Sequence, residues 1–219
     1  MTRPRPFRLV RAAALILSLA VLAACNVVVT QAPLFTRADE AGAPAPRPGL
    51  WRFDADADCR VDESRPLIEW PKCGAGAVLN AGTAGYFERG TGVPVWTTQP
   101  LILAAGAPRI AQTQVKFSGD IKVEGATYAY AGVRATKLDD RGRIVALRFW
   151  PVQCGPPPLA GEGGGAPAST AKPLPGMTMK PGDPACSTTS QAALREAAKA
   201  SEAWAPKPLN ARWVRDGNS

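Results

Sequence analysis

The chain has 219 residues, 26 lysines and arginines against 18 aspartates and glutamates, a formal charge of +8, and no histidine. The missing histidine excludes Ser-His-Asp and Cys-His chemistry and every metal site that uses an imidazole. The basic residues are scattered rather than striped, so no nucleic-acid partner is expected.

Residues 1–24 read as a secretory signal peptide. Arg3, Arg5, Arg8 and Arg11 make a positive start, residues 12–21 an apolar run broken only by Ser18, and Leu22-Ala23-Ala24 a small-residue close. The run falls short of the roughly 20 residues that a membrane-spanning helix needs. Leu22-Ala23-Ala24-Cys25 resembles the lipobox of bacterial lipoproteins. The resemblance implies that Cys25 is lipidated and becomes the first residue of the processed chain. Two or more acyl chains hold a protein stably on a membrane. Asn26 then occupies the sorting position. The family's inner-membrane retention signal is usually Asp, so Asn26 implies an outer-membrane lipoprotein facing the periplasm. Loss of the four leader arginines lowers the charge from +8 to +4.

Residues 25–48 read as a lipid-anchored flexible tether. "TRADEAGAPAPRPG" is rich in Ala, Pro and Gly and has no apolar period. The apolar groups Val27-Val28-Val29 and Pro33-Leu34-Phe35 have three alternatives: lipid, the domain surface, or cover near the anchor.

Residues 49–216 are expected to form a single β-rich domain, long enough for a real core. After the opening "GLWRF", short apolar or alternating runs fall at 76–80, 84–88, 93–104, 109–117, 121–124, 126–138 and 143–151. Gly-containing breaks between them predict successive antiparallel strands. Asp139-Asp140-Arg141-Gly142 supplies the turn of the clearest hairpin. After it, Val145, Leu147 and Phe149 are expected in the core, with Ile144, Ala146, Arg148 and Trp150 on a partly wet face. Residues 155–186 form a long Pro/Gly loop, expected to be disordered. A helix is predicted over 188–204, capped by Ser187, Thr188 or Thr189, with Ala193, Ala197, Ala200 and Trp204 as its buried stripe. "ARWVRDG" ends the domain as a strand. The expected class is α+β and β-rich: an antiparallel meander sheet with one C-terminal helix packed on it.

Cys59, Cys73, Cys154 and Cys186 fit two disulfides in an oxidising compartment, with three connectivities open. Cys59–Cys73 and Cys154–Cys186 are favoured, because each closes a local segment. Zinc would need all four thiolates from unsuitable spacings, so no metal and no cofactor are expected.

The remaining motifs carry little chemistry. Ser169-Thr170-Ala171-Lys172 matches the S-x-x-K pattern of penicillin-binding proteins, but in a Pro/Gly loop and without partner motifs. Asp54, Asp56 and Asp58 resemble the start of a calcium loop. It then fails, with Cys59 where Gly is needed and Arg65 where Glu is needed. Glu63, Glu69, Glu88 and these aspartates offer carboxylate pairs, the basis of an alternative reading as a cell-wall hydrolase using general acid/base chemistry. The six tryptophans are read as core packing.

"PLFTRADEAGAPAPRPGLW", "DCRVDESRPLIEWPKC" and the closing "RFWPVQCG" resemble an uncharacterised family of Gram-negative envelope lipoproteins. That implies architecture and no mechanism. The expected function is a non-enzymatic binding or structural module of the envelope, with the membrane as partner through the lipid anchor, and an envelope protein or the cell wall as a further partner. No catalytic residue is assigned.

Overall fold

The period-two alternation of the strands puts one set of side chains inside and the other outside. In this chain both sets are apolar over much of their length, so both faces of the sheet have to be covered. The computed structural model describes residues 26–54, 58–89, 93–115, 127–156, 172–180, 185–205 and 208–217.

Its strands are β1 (Val27–Thr30), β2 (Gly49–Asp54), β3 (Ala75–Asn80), β4 (Thr83–Glu88), β5 (Val95–Ala104), β6 (Arg109–Val115), β7 (Thr127–Leu138), β8 (Ile144–Pro151), β9 (Thr178–Met179), β10 (Ala185–Ser187) and β11 (Leu209–Arg215). The helix α1 (Gln191–Trp204) precedes β11. Strands β2 to β8 form an antiparallel meander. β11 then pairs with both β8 and β2, through Ala211↔Leu147 and Ala211↔Phe53. The expected meander therefore closes into an eight-stranded antiparallel barrel. Closure leaves none of these strands as an edge.

The inward residues form the first core cluster, including Trp51, Phe53, Leu79, Leu103, Leu147 and Phe149. Phe53 and Phe149 meet edge to face at 5.8 Å. The outer face is covered twice. Residues 58–73 lie over β2 and β3, where Leu67 and Trp70 pack on Leu50 and Val78. α1 lies over β7 and β8, where Leu194, Ala197 and Ala198 pack with Ile110, Tyr130 and Val152.

α1 buries Leu194, Ala197, Ala198 and Ser201. This stripe shares only Ala197 with the one expected, because the large Leu194 rather than the small Ala193 takes the core position. Ser190 caps the helix, accepting from the Ala193 N–H at 3.2 Å, since β10 extends through Ser187. Trp150, expected on a partly wet face, is 1% exposed, because the helix covers it. Its indole N–H donates to the Ala198 carbonyl at 2.8 Å. Ile144, also assigned to that face, is buried as well. Residues 45–47 run beside it, with backbone bonds to both its N–H and its carbonyl.

The expected tether is built into the body. Val28 and Phe35 are 1% exposed. β1 wedges in where β7 and β8 separate: Val29 and Thr30 pair with Ala129 and Tyr128, while Cys154 N–H donates to the Asn26 carbonyl. Gln112 then holds residues 34–35 against β6 with three bonds at 2.8–2.9 Å. Residues 36–48 cross one end of the barrel. There Arg37 donates to the Ala81 carbonyl, Ala105 N–H to Asp39, Leu103 N–H to Glu40, and Trp51 Nε1 to the Arg47 carbonyl. Arg47 also stacks on the Trp213 ring at 3.5 Å. A segment that satisfies strand ends needs no apolar period, which is why its sequence reads as a linker.

Of the Pro/Gly loop, residues 157–171 and 181–184 lie outside the described residues. The described part packs on the body: Leu174 N–H donates to the Cys154 carbonyl, Met177 is buried, and β9 pairs with β10. The strand expected at 121–124 also lies outside the described residues.

Candidate functional site

The two ends of the barrel differ. At one, short turns at 81–82, 105–108 and 139–143 join the strands, and the strap 36–48 closes over them. Gly142 supplies the last turn with φ +73°, a conformation glycine adopts without strain. The longer connections lie at the other end. Along β5 the inward side chains grade from buried Leu103 through half-buried Leu101, Gln99 and Thr97 to Val95, 60% exposed. The barrel is thus a cup with its mouth at the β5 start.

Inside the cup is a cavity of about 150 Å³. Its wall includes Trp51, Phe53, Leu101, Leu103, Val133 and Phe149, and β1 adds Val27 and Val29 near the mouth. An eight-stranded barrel has an interior just wide enough to be filled by side chains or to hold one small ligand. Here the small inward residues Ala111, Ala129, Ala131 and Ala211 leave the space. One polar strip borders it. Gln99 Nε2 donates to Tyr86 Oη at 2.5 Å, and Thr113 Oγ1 donates to Gln99 Oε1 at 3.1 Å. Burial raises the Tyr86 pKa above its usual value, with Glu88 adding to the effect, so the phenol stays neutral. No carboxylate, amine or thiol is among the residues lining the cavity.

Of the carboxylates named from sequence, Glu88 ends β4 two residues past Tyr86, and none is among the residues lining the cavity. Glu63 lies on the outer surface between Arg52 and Arg212, which face each other across β2 and β11. Burial raises its pKa, but hydrogen bonds from Arg212 and Arg52 outweigh this and lower it overall. Glu202 of α1 does the same between Arg134 and Arg148, partners across β7 and β8. The hydrogen bond from Arg134 leads in lowering its pKa. Two arginines directly opposite repel each other. Each glutamate removes that repulsion and fastens a cover to the barrel. Glu69 pairs with Arg65 at 2.7 Å. Asp54 ends β2, Asp62 accepts from Ser64, and Asp56 lies outside the described residues. Among the described residues no three His, Cys, Asp or Glu side chains gather as metal ligands.

Cys59–Cys73 and Cys154–Cys186 are the two disulfides. The first closes the cover formed by 58–73, and the second ties the end of β8 to β10 ahead of α1. Cys25 and Ser169 lie outside the described residues, and Lys172 is exposed. Asn26 is 2% exposed, with Nδ2 donating to the Gly155 carbonyl at 2.6 Å. The cavity itself went unread in the sequence. Its signal was a run of alanines at inward positions on β6, β7 and β11, visible only once the register is known.

No protein-family model, no curated protein and no solved structure matches the chain.

Proposed function

We propose that this chain is an envelope lipoprotein that binds rather than reacts, anchored through Cys25 to the outer membrane and facing the periplasm, with the cup as its binding site. The apolar cavity carries this reading. It offers dispersion contacts and water exclusion, and nothing along its lining residues transfers a proton. A general acid for glycoside cleavage needs a raised carboxyl pKa. Glu63 and Glu202 are shifted the other way by their arginines.

The cavity volume narrows the ligand. A dry cavity of about 150 Å³ takes a group the size of benzene, whereas sites for whole drug-sized molecules run from about 300 to 1,000 Å³. The ligand is therefore one whose apolar end enters the cup while the rest projects through the mouth. The Tyr86–Gln99–Thr113 strip gives an uncharged polar group something to pair with.

The test is titration of the purified protein with a fluorescent medium-chain fatty acid, beside the Ala111→Phe variant. Saturable uptake, at least tenfold weaker in the variant at an unchanged fold, is the expected result. No uptake by the native chain, or equal uptake by both, would sink the reading. Release of sugar from purified peptidoglycan would replace it with the hydrolase.

A further inference from the structure

Three tryptophans lie on strand glycines of the barrel's outer wall, at contacts where no Cβ fits: Trp70 on Gly76, Trp150 on Gly132 and Trp96 on Gly85. The first two are covered and 2% and 1% exposed. Trp96, edge to face with Phe87 at 4.9 Å, is 41% exposed. It does not stand alone. Val93 is 85% exposed, Val95 60% and Ile68 46%. Ile68 belongs to the 58–73 cover beside the end of β4, where Arg89 donates to the Leu67 carbonyl at 2.7 Å and reaches the Ile68 carbonyl. Four of the five large exposed apolar side chains among the described residues thus surround the cup's mouth; the fifth, Leu138, is at the closed end. Exposed apolar side chains clustered at one place mark an interaction surface.

The course of the chain says what that surface meets. β1 pairs with the first residues of β7 and with the chain just past the last residue of β8, so it lies at the mouth end. Asn26, next to Cys25, is buried there and bonded to Cys154 and Gly155, with no slack before the barrel. We infer that the mouth of the barrel is the face this protein lays on a lipid bilayer, with Val93, Val95, Trp96 and Ile68 as the contact. The inference rests on the reading of Cys25 as acylated. A chain fastened at residue 25 hangs from its mouth end, and the anchor raises the local concentration of lipid at that face. Tryptophan suits such a boundary, being apolar with one N–H donor. The cup then opens onto acyl chains, and its ligand enters without crossing water.

The experiment uses the full chain purified from membranes and returned to vesicles of phosphatidylethanolamine and phosphatidylglycerol. Mass spectrometry of the peptide holding Cys25 reports acylation. Nitroxide labels are placed through Val93→Cys at the mouth and Arg141→Cys at the closed end. The inference expects the label at 93 to collide more with oxygen than with a water-soluble nickel chelate, and the label at 141 to show the reverse. An acylated chain with both labels in water would overturn the docking face and leave the anchor standing. An unmodified Cys25 would remove the anchor, and this inference with it.

Discussion

The two covers on the barrel share three parts. Residues 58–73 have the Cys59–Cys73 disulfide, Glu63 between Arg52 and Arg212, and Trp70 on Gly76. The α1 side has Cys154–Cys186, Glu202 between Arg134 and Arg148, and Trp150 on Gly132. What differs is the apolar layer. The helix side joins Val28, Phe35, Ile110, Tyr130, Val152 and Leu194 in one cluster, whereas Leu50, Leu67, Trp70 and Val78 make up the buried part of the other. The same fastenings therefore hold a deep layer on one side and a thin one on the other. On the thin side the polar fastenings carry a larger share of the stability.

The comparison breaks most directly at the tryptophans. Trp150→Ala should cost about 3–5 kcal/mol, the range for a fully buried large side chain, and more than Trp70→Ala, because it also hollows the space beneath α1. Urea unfolding of the two variants checks the order, and equal losses would mean that the layers are equally deep. The disulfides come next. Replacing each pair by alanine should cost roughly 2–4 kcal/mol. Cys154–Cys186 spans 32 residues and Cys59–Cys73 spans 14, a difference of roughly 0.7 kcal/mol in loop entropy. A larger loss from the shorter loop would show that the thin cover depends on its staple.

The glutamates follow. Glu63→Gln and Glu202→Gln should each cost up to about 1 kcal/mol near neutral pH, as partly exposed ion pairs do. Both folded pKa values lie below the ordinary 4.5. Their contribution is therefore present above that value and disappears as pH falls through the folded pKa. Unfolding midpoints at neutral and acid pH should show the variants converging on the native chain in acid, and a constant gap would mean that the clamps are not ionic. The smallest effect belongs to the uncovered wall. Val93→Ser should change stability by less than about 0.5 kcal/mol, because Val93 is 85% exposed, while weakening contact with vesicles.

The strands were legible because alternation and Gly-bearing breaks are local signals. β3 to β8 fall within a few residues of their expected places, and α1 ends at Trp204 as read. Barrel closure was not legible. It depends on Ala211 meeting both Leu147 and Phe53, and no local pattern says which distant strands meet. The strap was misread for the opposite reason. "TRADEAGAPAPRPG" has the composition of a linker, yet its carbonyls and acids accept from Arg109, Leu103 and Ala105, and its Arg37 donates to the Ala81 carbonyl. The favoured disulfides follow from short separation. The cup was hidden among alanines that equally suit close packing.

β11 has a consequence for how the molecule is made. A chain emerging N-terminus first can lay down β2 to β8 in order, each beside the last. It remains an open sheet, with β2 and β8 as unpaired borders, until residues 209–215 are free. Such borders invite pairing with other chains. Both borders stay open from the completion of β8 at Pro151 until β11 is in place, and the same strand closes both. Any helper that shields the growing chain has to shelter the borders of β2 and β8 and let go as β11 arrives.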